Sequence, residues 1–153
     1  MSLTNIFNIS GSGMSAQSVR LNTIASNVAN AETASSSINE VYQGRKPFFK
    51  IMQTRVNEDP FWQGSVFDDE NTLYQQQGRG VMVQAIVESK ATPQARYEPD
   101  HPKADEKGYV YYPNINVVEE MTDMISASRS FQVNVEIMNT AKTMLQKVLT
   151  LGQ

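Results

Sequence analysis

The chain has 153 residues, 40% hydrophobic and 19% charged, enough for one compact domain or a small domain carrying extended arms. A formal net charge of −3 with no basic run argues against a partner recognised through its phosphates, because such binding draws on clustered lysine and arginine. The absence of cysteine removes disulfides, thiol nucleophiles and cysteine-ligated metals together.

From Leu3 to Val28 the apolar residues follow a 3-4 spacing: Leu3, Phe7, Met14, Leu21, Ile24 and Val28, with Ser10 and Gln17 filling the seam. This predicts an amphipathic helix. Gly11 and Gly13 each cost it about 1 kcal/mol relative to alanine, so it needs a partner to form. Its other faces are small or polar, and Arg20 is the only charge between Met1 and Ala31. Such a surface suits close approach by other protein. The start lacks the basic and continuous apolar regions of a cleavable secretory signal, and no run approaches the roughly 18 apolar residues of a membrane-spanning helix.

Residues 32 to 44, rich in serine and asparagine, read as a linker. A β-leaning segment opens at Pro47 and runs through Phe48 and Phe49 to Val56. A second strand, Gly80 to Glu88, places Val81, Val83, Ala85 and Val87 on one face. Short stretches at Ser65 to Phe67, Ala95 to Tyr97 and Tyr109 to Tyr112 could complete a small antiparallel unit spanning residues 45 to 112, with exposed loop at Asp68 to Asn71. Glu98 to Gly108 is turn-forming and charged throughout.

After Pro113 a second stripe takes steps of three and four through Val117, Met121, Met124, Ser128, Phe131, Val135, Met138, Lys142, Leu145 and Leu149. Asn114 or Asn116 can cap it, and Glu119, Glu120 and Asp123 suit its positive end. Roughly 35 residues at about 1.5 Å each give a rod about 50 Å long. The expected fold is α+β: long terminal helices, 1–31 and 114–153, paired as an antiparallel coiled coil around a small antiparallel β insertion. A plain helical hairpin would satisfy the seams alone. The additional row Ile137, Ala141, Met144, Val148 and Leu151 exceeds what one partner helix covers, and surplus apolar surface of this kind marks an interface.

The continuous stretch from Tyr97 to Leu151 resembles the bacterial flagellar axial proteins, and among them the proximal rod subunits. It carries the proline-bounded acidic loop with His101 and Pro102, the Gly108-Tyr109-Val110 strand, the Pro113-Asn114-Ile115-Asn116 turn and the Met121 to Arg129 helix. Ala25-Ser26-Asn27-Val28-Ala29-Asn30-Ala31 is similar to the amino-terminal motif shared by rod and hook proteins. The resemblance covers a little over half the chain and leaves Ala34 to Gln77 unmatched. It implies a structural, non-enzymatic subunit of the proximal rod in the flagellar basal body, crossing the periplasm. Such a subunit is exported by the flagellar type III apparatus without a cleavable signal and polymerises with itself and other rod proteins to transmit torque. Leu3, Phe7, Met14, Leu21, Ile24, Val28, Met121, Met124, Phe131, Val135, Met138, Leu145 and Leu149 are then the expected assembly interface.

Asp100, His101, Asp105 and Glu106 are the one cluster resembling a metal or acid-base site, but all lie in a single proline-rich loop, whereas metal sites draw ligands from several elements. Neither metal nor cofactor is expected, nor contact with nucleic acid, nor insertion into a membrane. A competing reading is a helical adaptor or secretion-chaperone-like module that masks a partner's helix.

Overall fold

The computed structural model describes residues 3–52 and 79–151. Helix α1 spans Leu3–Asn30, and a short 3-10 turn spans Ile38–Glu40. Four strands follow, β1 Arg45–Ile51, β2 Val81–Glu88, β3 Gln94–Tyr97 and β4 Tyr109–Tyr112, and helix α2, Val117–Leu151, closes the order. The fold is α+β, as expected. The expected strand at Ser65 to Phe67, the loop at Asp68 to Asn71 and the end of the first strand beyond Met52 lie outside the described residues.

Asn116 caps α2: its Oδ1 accepts the Val118 N–H at 3.1 Å and its carbonyl accepts the Glu120 N–H at 3.0 Å. Glu119 and Glu120 occupy the first turn, where the helix dipole favours them. The end of α1 closes on itself, with Asn30 Nδ2 donating to the Ser26 carbonyl at 2.8 Å and Thr33 Oγ1 to the Asn30 carbonyl at 2.7 Å.

The helices lie side by side and antiparallel. A Cβ on Gly11 would sit 3.7 Å from Met138 Cε and one on Gly13 would sit 3.0 Å from Asn134 Nδ2, while Arg20 bonds Asp123 at 2.9 Å and Asn27 bonds Glu120 at 3.1 Å. The glycines that weaken α1 as a lone helix therefore lie directly against α2. Small residues are buried on both helices, Ser10, Ala16 and Thr23 on α1 and Ala127 and Ala141 on α2.

This close approach displaces half of the expected α2 seam by one residue. The row turned to α1 is Glu120, Met124, Ala127, Phe131, Asn134, Met138, Ala141 and Leu145, each buried or half-buried. It keeps Met124, Phe131, Met138 and Leu145 from the expectation, but Met121, Lys142 and Leu149 are exposed, Met121 and Leu149 at 51% and 68%. Val135 is half-buried at the margin. On α1 the expectation holds better, with Ile24 buried and Phe7, Met14, Leu21 and Val28 half-buried. Leu3 stands in the first turn of α1.

Gln17 carries the one mismatch in this seam: its Oε1 is buried and has no hydrogen-bond partner among the described residues. Gln17→Leu removes an unmet acceptor and adds apolar contact, and should stabilise the chain by about 1 kcal/mol. A higher urea midpoint with unchanged slope checks this.

The strands form two separate two-stranded antiparallel sheets, β1–β2 and β3–β4, where one unit was expected. A bulge between Phe48 and Phe49 shifts the β1–β2 register, so that Phe48 faces Ala85 but Phe49 faces Val83. The odd-numbered face read for β2 therefore does not run its full length, and Ile86 stands opposite Pro47. The hairpin lies along α1 and is pinned at both ends. Arg45 is held at Asn27, and at the far end Ser12 Oγ accepts the Val81 N–H at 3.1 Å. Fifteen helical residues at about 1.5 Å and six strand steps at about 3.4 Å both span roughly 20 Å, so the two pins are matched in spacing.

Gly80 makes the second pin possible. It is buried at φ +133, and a Cβ there would collide with Ser12 Oγ. Gly80→Ala should cost about 1–3 kcal/mol through backbone strain alone, with the steric clash added, and chemical denaturation measures it.

The expected linker is fastened to the β3–β4 sheet. Ser35 and Tyr111 exchange both backbone bonds at 2.9 and 3.0 Å, Lys103 Nζ donates to the Ala34 carbonyl at 2.9 Å, and Val41 is buried.

Candidate assembly interface

The amino-terminal motif converges on one buried side chain. Asn27, 1% exposed, donates from Nδ2 to the Arg45 carbonyl at 2.8 Å and to Glu120 Oε2 at 3.1 Å. Its Oδ1 accepts the Arg45 N–H at 2.8 Å and the Tyr42 hydroxyl at 3.1 Å. Tyr42 also meets Ser26, at 3.2 Å, and its ring lies 5.7 Å from the Arg45 guanidinium. Asn30, four helical positions from Ser26, serves the helix end alone. Tyr42 was not singled out from sequence, and Glu120 was read only as an acidic residue suited to the start of α2. The available signal was an acidic residue standing on the same 3-4 row as Met124 and Phe131.

The carboxy-terminal motif builds the β3–β4 turn and the cap of α2. Gly108 has φ +78, and its N–H donates to the Asp105 carbonyl at 2.8 Å, while its own carbonyl accepts the Glu98 N–H at 3.0 Å. Tyr109 meets Tyr97 edge to face, with ring centroids 5.4 Å apart. Pro113 is buried, and Asn114 Oδ1 accepts Gln94 Nε2 at 3.3 Å. His101 Nδ1 accepts the Lys103 N–H at 3.1 Å and Pro102 follows it in the same turn. Tyr112 donates its hydroxyl to Glu98 Oε2 at 3.1 Å beneath Arg96, 4.8 Å from its ring. Removal from water first, and the bond to Glu98 second, raise the phenol above its ordinary pKa. Among the described residues, no group of three or more acidic, histidine or cysteine side chains could hold a metal ion. The loop around His101 is held by its own backbone turns and by Lys103, which reaches the Ala34 carbonyl.

The outer face of α2 is left uncovered. Val118, Met121, Ile125, Arg129, Val133, Ile137, Thr140, Met144 and Val148 follow one another in steps of three and four, and all are exposed. Seven of these nine are apolar, and exposure of the large ones runs from 43% at Ile137 to 73% at Val118. Where this row drifts toward α1, Ile6 joins Val133, Ile137, Ala141 and Met144 around an open groove of about 340 Å³. Of its second half, Ile137, Met144 and Val148 were read from the sequence in the row beginning at Ile137, whereas Ala141 of that row is buried against α1. The residues Val118, Ile125 and Val133 were missed. No helix among the described residues is long and apolar enough to cross a membrane.

Comparison with known proteins matches both helical ends. Residues 7–34 fit the flagella basal body rod protein family, and residues 106–151 fit the C-terminal family of flagellar basal body rod FlgEFG proteins. The chain is 44% identical over 153 residues to the flagellar basal-body rod protein FlgC of Escherichia coli O6:H1 and 40% identical over 153 residues to that of Salmonella typhimurium. It is 36% identical over 159 residues to that of Borreliella burgdorferi. The alignments cover 100% of this chain in each case and 100%, 100% and 99% of the respective relatives. The similarity thus runs through residues 34 to 77, which carried no legible motif. With both motif-bearing helices inside family matches and the whole length aligned, the chain belongs to the FlgC family of flagellar basal-body rod proteins.

Proposed function

We infer that this chain is a structural, non-enzymatic subunit of the proximal rod of the flagellar basal body, polymerising with copies of itself and with other rod proteins. The observation that carries this reading, beside family membership, is the uncovered apolar row of α2. Helix α1 packs on one face of α2 and the β1–β2 hairpin packs along α1, so neither covers Val118 to Val133. An exposed apolar stripe this long is unfavourable in an isolated chain, and neighbouring subunits would bury it. In this reading residues 1–31 and 114–153 wind as an antiparallel coiled coil in the inner tube, and the β-rich part from 45 to 112 lies outside it. The subunit travels through the flagellar type III export apparatus without a cleavable signal and passes torque from motor to hook.

An adaptor or chaperone would instead hold one partner helix in a discrete soluble complex. The test uses a flagellated bacterium lacking its own FlgC, supplied with this chain bearing a small epitope tag. Purified basal bodies should carry the tag in the rod, and motility should return. Tag confined to a soluble cytoplasmic complex, with no rod built, would overturn the reading.

A further inference from the structure

We propose that Asn27 and Glu120 form a coupling joint that makes the seating of the β1–β2 hairpin conditional on the pairing of α1 with α2. A side-chain amide has two N–H donors and two acceptor positions, and Asn27 uses all four. Its partners come from three parts of the chain: both backbone groups of Arg45 at the root of β1, the Tyr42 hydroxyl before it, and the Glu120 carboxylate on α2. Asn27 thus presents Arg45 with the donor and acceptor pair that a neighbouring strand would offer. The joint is closed to water, with Asn27 1% and Glu120 6% exposed.

The coupling follows from what happens to Nδ2 when α2 withdraws. That N–H then loses its carboxylate acceptor, and the bonds to Arg45, until then shut off from water around a side chain 1% exposed, open to competition by water. Turning the amide to find a new partner also moves the second N–H away from the Arg45 carbonyl, since both belong to one rigid plane. Loss of helix pairing is therefore transmitted to the hairpin root. The opposite pin, Ser12 to Val81, involves α1 atoms on the helix side and holds the hairpin without reference to α2. Glu120 also lines a cleft of about 310 Å³ beside Arg20, Arg45, Lys46 and Asp123. If the rod reading above holds, the outer part of each subunit takes its seat only once the helices have paired.

Amide hydrogen exchange followed by NMR on the full-length chain tests this, and its outcome does not depend on entry into a rod. Asn27→Asp removes both donors and sets two carboxylates together. It should speed exchange at Arg45 and in the neighbouring β1–β2 amides by about tenfold or more, while amides around Ala16 and Met138 keep their protection. Glu120→Gln keeps an acceptor and should change little. Asn27→Asp combined with Glu120→Gln restores the link with donor and acceptor exchanged, and should recover part of the Arg45 protection. An Arg45 amide unprotected in the parent chain, or indifferent to Asn27→Asp, would overturn the proposal. Uniform loss of protection in both helices, unrelieved in the double variant, would make Asn27 an ordinary core residue and overturn it equally.

Discussion

Met138→Asp is expected to separate the two helices and unfold most of the chain. Met138 sits where α2 passes closest to Gly11, half-buried in the row that also holds Phe131, Asn134, Ala141 and Leu145. Truncating a buried methionine to alanine typically costs about 2–5 kcal/mol, and small domains hold only about 5–15 kcal/mol in total. Aspartate adds the desolvation of a charge between neighbours that are apolar or neutral, Gly11, Asn134 and Ala141. Among the described residues the buried apolar side chains are mostly alanine and valine. Far-UV circular dichroism through a urea titration should show Met138→Ala weakened but folded, and Met138→Asp largely unfolded in the absence of urea. Equal stability of the two variants would mean that the methionine end group is free of the α1 surface.

The helical ends were legible because their 3-4 patterns are long, and a pattern repeated over many turns outweighs local breakers such as Gly11 and Gly13. Which residues of α2 face α1 was legible only by half. Apolarity selects Met121 and Leu149, whereas close helix packing selects the small residues Ala127 and Ala141 and the polar Glu120 and Asn134, whose burial depends on particular partners. No periodicity signals that Asn134 accommodates Gly13 or that Glu120 meets Asn27. The split into two sheets escaped for a similar reason: strand propensity says which residues extend, while pairing of Ser35 with Tyr111 is a tertiary event. The site motifs were legible as family patterns, but their physical roles were not, since Asn27 and Asn30 look alike in sequence and act in different places.

Ile125→Asp is expected to leave the isolated chain folded and to stop rod assembly, the opposite division from Met138→Asp. Ile125 lies on the side of α2 away from α1 and is 56% exposed, so the new carboxylate remains hydrated and stability should move by only about 0.5 kcal/mol. In the subunit contact proposed above, the same position would press against a neighbour along with Val118, Met121 and Val133. A carboxylate buried there loses its water, and although Arg129 stands four positions on in the same row, desolvating the charge costs more than the roughly 1–3 kcal/mol of a neutral polar group. A helical polymer repeats the contact in every subunit, so the penalty accumulates along the rod. Cells carrying Ile125→Asp should make the protein at normal levels, build no rod beyond its position and fail to swim. Met121→Asp, at 51% exposure on the same row, should behave alike. A purified variant with parent-like urea midpoint, taken from cells that assemble complete basal bodies and swim normally, would show that this face of α2 stays open to solvent in the rod and that the subunits meet elsewhere.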